Sequence, residues 1–272
     1  MVRARTKLRG TKGGALARGQ FVREYRTVRR AEGWGSADAA YYRALPYRDL
    51  TGRFPDIWRI RARSYNTFLH RVLRPLERTG PLNILDLGAG NGWLAYRLRR
   101  RGHRVVPIDL LEDPLDGLAA TRHFSEPGLW PVLAEFDHLP LPGGQHDVAV
   151  FNASFHYSTD YTRTLRETLR VLQPRGTLVI LDSPMYSDPT SGARMVQERE
   201  ARFSATYGFA SNALQHEHFL TPRRLDDLSA DLGMTWRTYQ PRLDLRTAVI
   251  RKLNGLRARR EPARFPVIVG QR

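Results

Sequence analysis

The chain has 272 residues and a mass of 31.2 kDa, enough for one large α/β domain or two small ones with a sizeable core. Its 41% hydrophobic and 26% charged residues exclude collagen-like and broadly disordered proteins. The absence of cysteine excludes disulfides, cysteine zinc sites and thiolate nucleophiles. Because the sequence has neither a window of about 18 apolar residues nor an apolar secretory signal, we expect a cytoplasmic protein.

The formal net charge of +17 lies at the two ends of the chain. Residues 1–30 contain ten Lys or Arg and one acidic residue, and residues 242–272 contain nine against two, so the body between them is almost neutral. Basic ends of this kind are typical of a solvated surface, but they also suit nucleic acid or anionic lipid. A basic helix expected at Arg246–Arg260 has apolar residues on one side and fits peripheral membrane contact.

The first 76 residues fall into two segments. Residues 1–19 are rich in glycine and arginine without apolar periodicity, which predicts a flexible basic arm. Residues 20–76 predict a helical, aromatic-rich cap, with one helix over Gln20–Arg30 and apolar residues at helical spacing from Ile57 to Leu73.

From Leu82 onward, short apolar runs alternate with helical stretches. We predict strands at Leu82–Leu87, Arg104–Asp109, Pro131–Glu135, Asp147–Asn152, Gly176–Asp182, Thr235–Gln240 and Phe265–Val269. We predict helices at Gly92–Arg101, Pro114–Arg122, Tyr161–Leu172, Ala193–Tyr207 and Pro222–Leu232. This alternation predicts an α/β fold whose seven-stranded, mostly parallel sheet has helices on both faces, with an insertion at residues 184–220.

A glycine turn follows the first strand, in Leu85-Asp86-Leu87-Gly88-Ala89-Gly90-Asn91-Gly92-Trp93. Such a turn lets a ligand approach the backbone, and the helix after it presents free N–H groups. The third glycine comes one residue too early for a dinucleotide fingerprint. Asp86 would also face a pyrophosphate unfavourably.

Carboxylates end the next two strands. Asp109 comes 19 residues after Gly90, where a carboxylate can accept both hydroxyls of a ribose, and Glu135 and Asp137 follow the third strand. Because ligands of open α/β sheets bind at the carboxyl ends of the strands, these residues predict a nucleoside site.

At this point the chain resembles the class I S-adenosylmethionine-dependent methyltransferases, in particular the type 11 group of small-molecule and lipid methyltransferases. The resemblance covers about residues 82 to 183 and includes Leu139-Pro140-Leu141-Pro142, His146-Asp147-Val148 and Leu172-Gln173-Pro174-Arg175-Gly176. The sequence departs from the family pattern at Glu135, where Asp is usual, at His146, where Phe is usual, and at Arg175, where Gly is usual.

The resemblance implies a Rossmann-like domain over residues 77–272 that binds S-adenosylmethionine and methylates a small-molecule or lipid-linked acceptor. It implies that Asp86, Gly88, Ala89 and Gly90 contact the methionine part and that Asp109 contacts the ribose. It further implies that Glu135 and Phe136 contact the adenine, and that Asn152 and Ala153 face the sulfonium side.

Methyl transfer is an in-line displacement that needs aligned reactants and, for some acceptors, a proton acceptor. His156 and Tyr157 follow the fourth strand and are the candidate catalytic residues. The candidate acceptor contacts are Tyr47, Trp58, Tyr65 and Tyr186. The two histidines of His216-Glu217-His218 lack a third ligand at helical spacing, so we predict no metal site.

Two other functions stay open. An RNA methyltransferase would use the basic ends, although the missing cysteine excludes enzymes that attack the base through a thiolate. Asn152 is also followed by Ala-Ser-Phe instead of the Pro-Pro-Tyr found in many base amino-group methylases. The second alternative is an S-adenosylmethionine-binding regulatory module without catalysis.

Overall fold

A computed structural model describes residues 12–124, 128–210, 212–242 and 258–272. Within them, the strands are β1 (Asn83–Leu87), β2 (Arg104–Asp109), β3 (Val132–Leu133), β4 (His146–Asn152), β5 (Leu172–Leu181), β6 (Thr235–Tyr239) and β7 (Val267–Gln271). They form one sheet in the order β3-β2-β1-β4-β5-β7-β6. Strands β1 to β5 are parallel, whereas β7 is antiparallel to both β5 and β6. The predicted α/β fold is confirmed.

Four helices precede the sheet: α1 (Lys12–Glu32), α2 (Ala39–Ala44), α3 (Pro55–Phe68) and α4 (Arg74–Leu76). A π-helical turn at Leu69–Leu73 joins α3 to α4. The flexible arm predicted for residues 1–19 is therefore wrong over its second part, because α1 begins at Lys12 despite its glycines. Residues 1–11 lie outside the described residues.

The later helices are α5 (Trp93–Arg99), α6 (Tyr161–Val171), α7 (Pro189–Tyr207) and α8 (Pro222–Leu232). The Asp188 carboxylate caps α7 by accepting from the N–H groups of Thr190 and Ser191, so this helix starts four residues before the predicted Ala193. Most of the basic helix predicted at Arg246–Arg260 lies outside the described residues.

The helix predicted at Pro114–Arg122 is wrong. A turn comes first, followed by a 3-10 helix over Leu118–His123. The Asp113 carboxylate accepts from the N–H groups of Leu115 and Asp116, which holds the turn in place of an α-helix. A Cβ at Gly117 would lie 2.4 Å from the Leu111 carbonyl oxygen, so the chain packs tightly here.

Alternate strand residues bury their side chains on opposite faces of the sheet. Ile84 and Val150 pack in one core with the aromatic residues of α3 and α5. Leu85 and Phe151 pack in the other, with α6 and α8. In the part of the chain that the structure describes, no helix is both long and apolar enough to cross a membrane. This arrangement leaves the carboxyl ends of the parallel strands as one edge on which a site can be built.

Candidate functional site

Hydrogen bonds to β2 hold the glycine turn after β1 in place. The N–H groups of Gly88 and Ala89 donate to the Ile108 carbonyl at 2.8 and 2.9 Å. Gly88 has a φ of 75°, and a Cβ there would lie 2.3 Å from the Cβ of Ser154. Only glycine therefore lets the turn lie this close to the end of β4.

Asp109, the last residue of β2, completes the turn. Its Oδ2 accepts from the Gly90 N–H and its Oδ1 from the Leu111 N–H, both at 2.8 Å. Burial raises the pKa of this carboxyl. Both Gly90 and Asp109 line a cavity at the sheet edge, where each carboxylate oxygen keeps a lone pair for a ligand hydroxyl.

Asp86 lies behind the turn and does not line the cavity. Its side chain is fully buried, its Oδ2 accepts from the Ala95 N–H at 3.1 Å, and its Oδ1 has no hydrogen-bond partner. Burial raises the pKa of this carboxyl to about 7. A direct contact between Asp86 and a ligand stays a prediction.

Glu135 and Phe136 line the cavity at the β3 side. Oε1 of Glu135 lies 2.7 Å from Nε of Arg18 on α1, with no hydrogen-bond geometry at this Nε. Burial raises the pKa of Glu135, and the Arg18 charge opposes this. The Glu135 carboxylate, which the sequence assigns to the adenine, therefore also pairs with Arg18.

The end of β4 contributes Asn152, Ala153 and Ser154 to the cavity wall. Ala153 has a φ of 55° and donates its N–H to the Leu181 carbonyl at 2.9 Å. This left-handed residue turns the chain sharply away from the strand. Oδ1 of Asn152 is buried without a hydrogen-bond partner in the described part of the chain, so an acceptor atom is available at the wall.

The cavity has a volume of about 250 Å³ and lies between the sheet edge and α1. Phe21 and Tyr25 of α1 line it, and both rings pack against Tyr157, at centroid distances of 6.1 and 5.7 Å. We call α1 the lid helix because its side chains form one wall of the cavity.

Ion pairs hold the lid helix in place. Arg29 pairs with Asp116, and Arg30 Nη2 lies 2.9 Å from Asp113 Oδ2. The side chains of Asp113 and Asp116 are almost completely buried, so the arginines compensate carboxylates that would otherwise be costly to desolvate.

The two candidate catalytic residues lie in different places. Tyr157 lines the cavity, but His156 does not. Nδ1 of His156 lies 3.4 Å from the Ser183 hydroxyl, and burial lowers the pKa of this imidazole to about 3. His156 is therefore neutral and is not part of the cavity wall.

His216, at the end of the 184–220 insertion, lines the cavity. Its Nδ1 lies 2.6 Å from the Tyr157 carbonyl oxygen, which can only accept, so Nδ1 carries the proton. Nε2 is consequently the unprotonated nitrogen, and it is buried without a hydrogen-bond partner. Burial lowers the pKa of His216 to about 4.

The four aromatic residues proposed as acceptor contacts do not line this cavity. Trp58 and Tyr65 pack edge-on against Trp93 in the core, and Tyr186 packs against Phe219. Tyr47 is on the surface, 54% exposed. This geometry gives no support for a role of these residues in acceptor binding, because three of the four rings pack inside the protein.

The sequence predicts a helix over Gln20–Arg30 within the cap, but it does not predict that this helix, His216 and Arg61 line the cavity. Phe21 and Tyr25, four residues apart, would have indicated an apolar helix face. His216 belongs to the His216-Glu217-His218 run, which the sequence analysis considers only as a metal site, and Arg61 belongs to no motif.

Residues 85–180 match the family described as "Methyltransferase domain". A demethylmenaquinone methyltransferase of Thermus thermophilus is 38% identical over 117 residues, 42% of this chain and 51% of that protein. A malonyl-[acyl-carrier protein] O-methyltransferase of Hahella chejuensis is 31% identical over 107 residues, 38% of each. The chain thus covers less than two thirds of the length of these relatives.

Two solved structures share the fold. A Burkholderia thailandensis 1,6-didemethyltoxoflavin-N1-methyltransferase with bound 1,6-didemethyltoxoflavin and S-adenosylhomocysteine has a TM-score of 0.55 at 17% identity, covering 100% of this chain and 94% of that one. An S-adenosylmethionine-dependent methyltransferase from Mesorhizobium loti has a TM-score of 0.51 at 21% identity, covering 73% and 96%.

Proposed function

Because the chain belongs to the class I S-adenosylmethionine-dependent methyltransferases, with the family domain at residues 85–180, we propose that it methylates a small molecule bound under the lid helix. This proposal rests on one observation. Phe21 and Tyr25 of the lid helix line the same cavity as the glycine turn and Asp109.

The residues at the sheet edge fit the cofactor. Gly88 and Gly90 line the cavity without side chains, so a ligand can lie directly on the backbone of the glycine turn. Asp109 has lone pairs for ribose hydroxyls, and Glu135 has a second oxygen for the adenine amino group. The unpaired Oδ1 of Asn152 can accept a hydrogen bond from an ammonium group.

When bound, S-adenosylmethionine supplies an electrophilic methyl group on a positively charged sulfur. The protein's part is to align the acceptor and to exclude water. Tyr25 and Tyr157 offer aromatic faces to the acceptor. His216 replaces His156 as the candidate proton acceptor, because its neutral Nε2 belongs to a residue of the cavity wall.

An RNA acceptor is less well supported. Several arginines of the basic N-terminal segment are engaged by the protein's own carboxylates: Arg18 by Glu135, Arg29 by Asp116 and Arg30 by Asp113. These charges are partly neutralised and contribute less to phosphate binding. The names of the relatives, which mention demethylmenaquinone and malonyl-[acyl-carrier protein], also point away from nucleic acid.

Titration calorimetry with S-adenosylhomocysteine tests the cofactor site. We expect the wild type to bind and Asp109→Ala to bind about 10- to 100-fold more weakly, because hydrogen bonds to a charged group are lost. Asp226→Asn, an exposed carboxylate on α8, serves as the control and should bind like the wild type. A wild-type protein that binds NAD but not S-adenosylhomocysteine would contradict the proposal.

Mass spectrometry of cell extract incubated with the protein and deuteriomethyl-labelled cofactor tests the acceptor class. We expect the label in a small molecule and not in RNA. Label that appears in RNA would overturn the small-molecule proposal, and cofactor binding without any labelled product would favour the regulatory module.

A further inference from the structure

Arg61 on α3 is a cation on the cavity wall that has no carboxylate partner among the described residues. Its side chain is half-buried and lines the cavity. Its guanidinium lies over the Trp58 and Trp34 rings, at 4.7 and 5.6 Å from the ring centroids. Across residues 12–124, 128–210, 212–242 and 258–272, it forms neither an ion pair nor a hydrogen bond.

The other arginines of the cavity wall differ from Arg61 in this respect. Arg18, Arg29 and Arg163 pair with Glu135, Asp116 and Asp137, respectively. Burial and the nearby Arg29 charge lower the pKa of Arg61. A half-buried guanidinium without an anion has unused N–H donors on the cavity wall, so a ligand that supplies an anion gains the interaction.

The position of Arg61 follows from the next turn of the same helix. The Ser64 hydroxyl donates to Asp182 Oδ1 at 2.5 Å, which fastens α3 to the end of β5. Arg61 is three residues earlier and lies on the same helix face. Asp182 is near enough to favour the Arg61 charge but does not pair with it. The Arg61 charge is therefore favoured both by Asp182, at the end of β5, and by Asp116.

We propose that Arg61 binds a carboxylate of a ligand held in this cavity, an inference that rests on the proposed function. A planar guanidinium fork matches a carboxylate with two parallel hydrogen bonds. A single negative charge suits one unpaired cation. A multiply charged phosphate would instead face Asp109, Asp116 and Glu135 on the same wall. The carboxylate belongs either to the methionine part of the cofactor or to the acceptor.

Calorimetry on three variants separates these sources. Arg61→Met removes the charge but keeps an apolar chain against the two tryptophans, and Arg61→Lys keeps the charge without the fork. Arg59→Met is the matched control, because Arg59 is exposed on the same helix and pairs with Asp56. The ligands are S-adenosylhomocysteine, 5′-methylthioadenosine, which lacks the amino-acid part, and benzoate with its neutral analogue benzamide.

If the cofactor supplies the carboxylate, Arg61→Met weakens S-adenosylhomocysteine binding about 10- to 100-fold and leaves 5′-methylthioadenosine unchanged. If the acceptor supplies it, Arg61→Met instead abolishes benzoate binding to the protein saturated with S-adenosylhomocysteine, and benzamide does not bind the wild type. Arg61→Lys should fall between Arg61→Met and the wild type in either case.

Equal binding of every ligand by Arg61→Met and the wild type would overturn the carboxylate site. Equal losses for S-adenosylhomocysteine and 5′-methylthioadenosine, with a lowered melting temperature, would overturn it in favour of a structural role. A wild type that binds neither nucleoside contradicts the proposed function instead. The comparison of benzoate with benzamide on the unliganded protein then decides the Arg61 proposal by itself.

Discussion

Nε of Arg18 lies 2.7 Å from Oε1 of Glu135, and this ion pair joins the lid helix to the sheet edge beyond β3. The two side chains are 23% and 12% exposed, so the pair is only partly screened by water. The residue that the sequence assigns to the adenine is thus also a fastening point of the lid.

Removal of this ion pair should loosen the lid helix. We expect Arg18→Met to speed hydrogen exchange of the α1 amides about fivefold, because a partly exposed ion pair contributes about 1 kcal/mol. Arg23→Met is the control, since Arg23 is exposed on the same helix. Equal exchange rates in Arg18→Met and the wild type would show that the aromatic contacts alone hold the lid.

The Gly88 position should reject any side chain. Gly88→Ala places a Cβ 2.3 Å from the Ser154 Cβ in addition to the strain of a positive φ. Gly144→Ala is a matched control, because Gly144 has a φ of 68° and nothing within 4 Å of the added Cβ. We expect a loss of about 1 kcal/mol in the free energy of unfolding for Gly144→Ala and roughly 2–4 kcal/mol for Gly88→Ala.

Urea denaturation measures both losses, and calorimetry with S-adenosylhomocysteine should show a binding defect for Gly88→Ala alone. Similar losses for the two variants would mean that Ser154 moves aside without cost.

Asp86 should make the protein less stable as the pH rises. Its carboxyl has a pKa of about 7 when folded against an ordinary 3.8, so the folded state holds a proton that the unfolded state has released. The stability from this proton is present below pH 3.8 and is lost as the pH rises through 7. The shift corresponds to a loss on the order of 4 kcal/mol.

Asp86→Asn cannot ionise and still accepts from the Ala95 N–H. The melting temperature of Asp86→Asn, relative to that of the wild type, should therefore be higher at pH 8 than at pH 5. The melting temperature of Asp226→Asn, in which an exposed side chain is changed, should differ from that of the wild type by the same small amount at both pH values. A pH-independent difference for Asp86→Asn would contradict the raised pKa.

His216 should stay neutral across the physiological range. Its lowered pKa of about 4 means that the unfolded chain takes up a proton near pH 6.5, before the folded one does. The contribution of His216 to stability is therefore complete above pH 6.5 and decreases as the pH falls toward 4. Nitrogen-15 NMR should show the Nδ1-protonated tautomer at pH 7 and no titration down to pH 5. Titration near pH 6.5 would contradict the lowered pKa, and a proton on Nε2 would remove His216 as the candidate proton acceptor.

The sheet could be predicted because each strand carries its own apolar pattern and parallel strands share one edge. The same rule explains why Gly90, Asp109 and Asn152 lie on one cavity wall. The lid helix could be predicted only over Gln20–Arg30, since the glycine-rich segment before it has low helix propensity. Its ion pair could not be predicted, because Arg18 and Glu135 are far apart in the chain. Trp58 and Tyr65 show that an aromatic helix stripe does not distinguish core packing from ligand contact.

Strand β7 lies between β5 and β6 and pairs with both. Among the described strands, β6 therefore has no neighbour in the sheet until β7 is in place, although β6 is synthesised first. During translation, the parallel part of the sheet can assemble while β6 waits unpaired as an open edge. The addition of β7 thus determines when the antiparallel part of the sheet can form, and until then β6 has no strand to pair with.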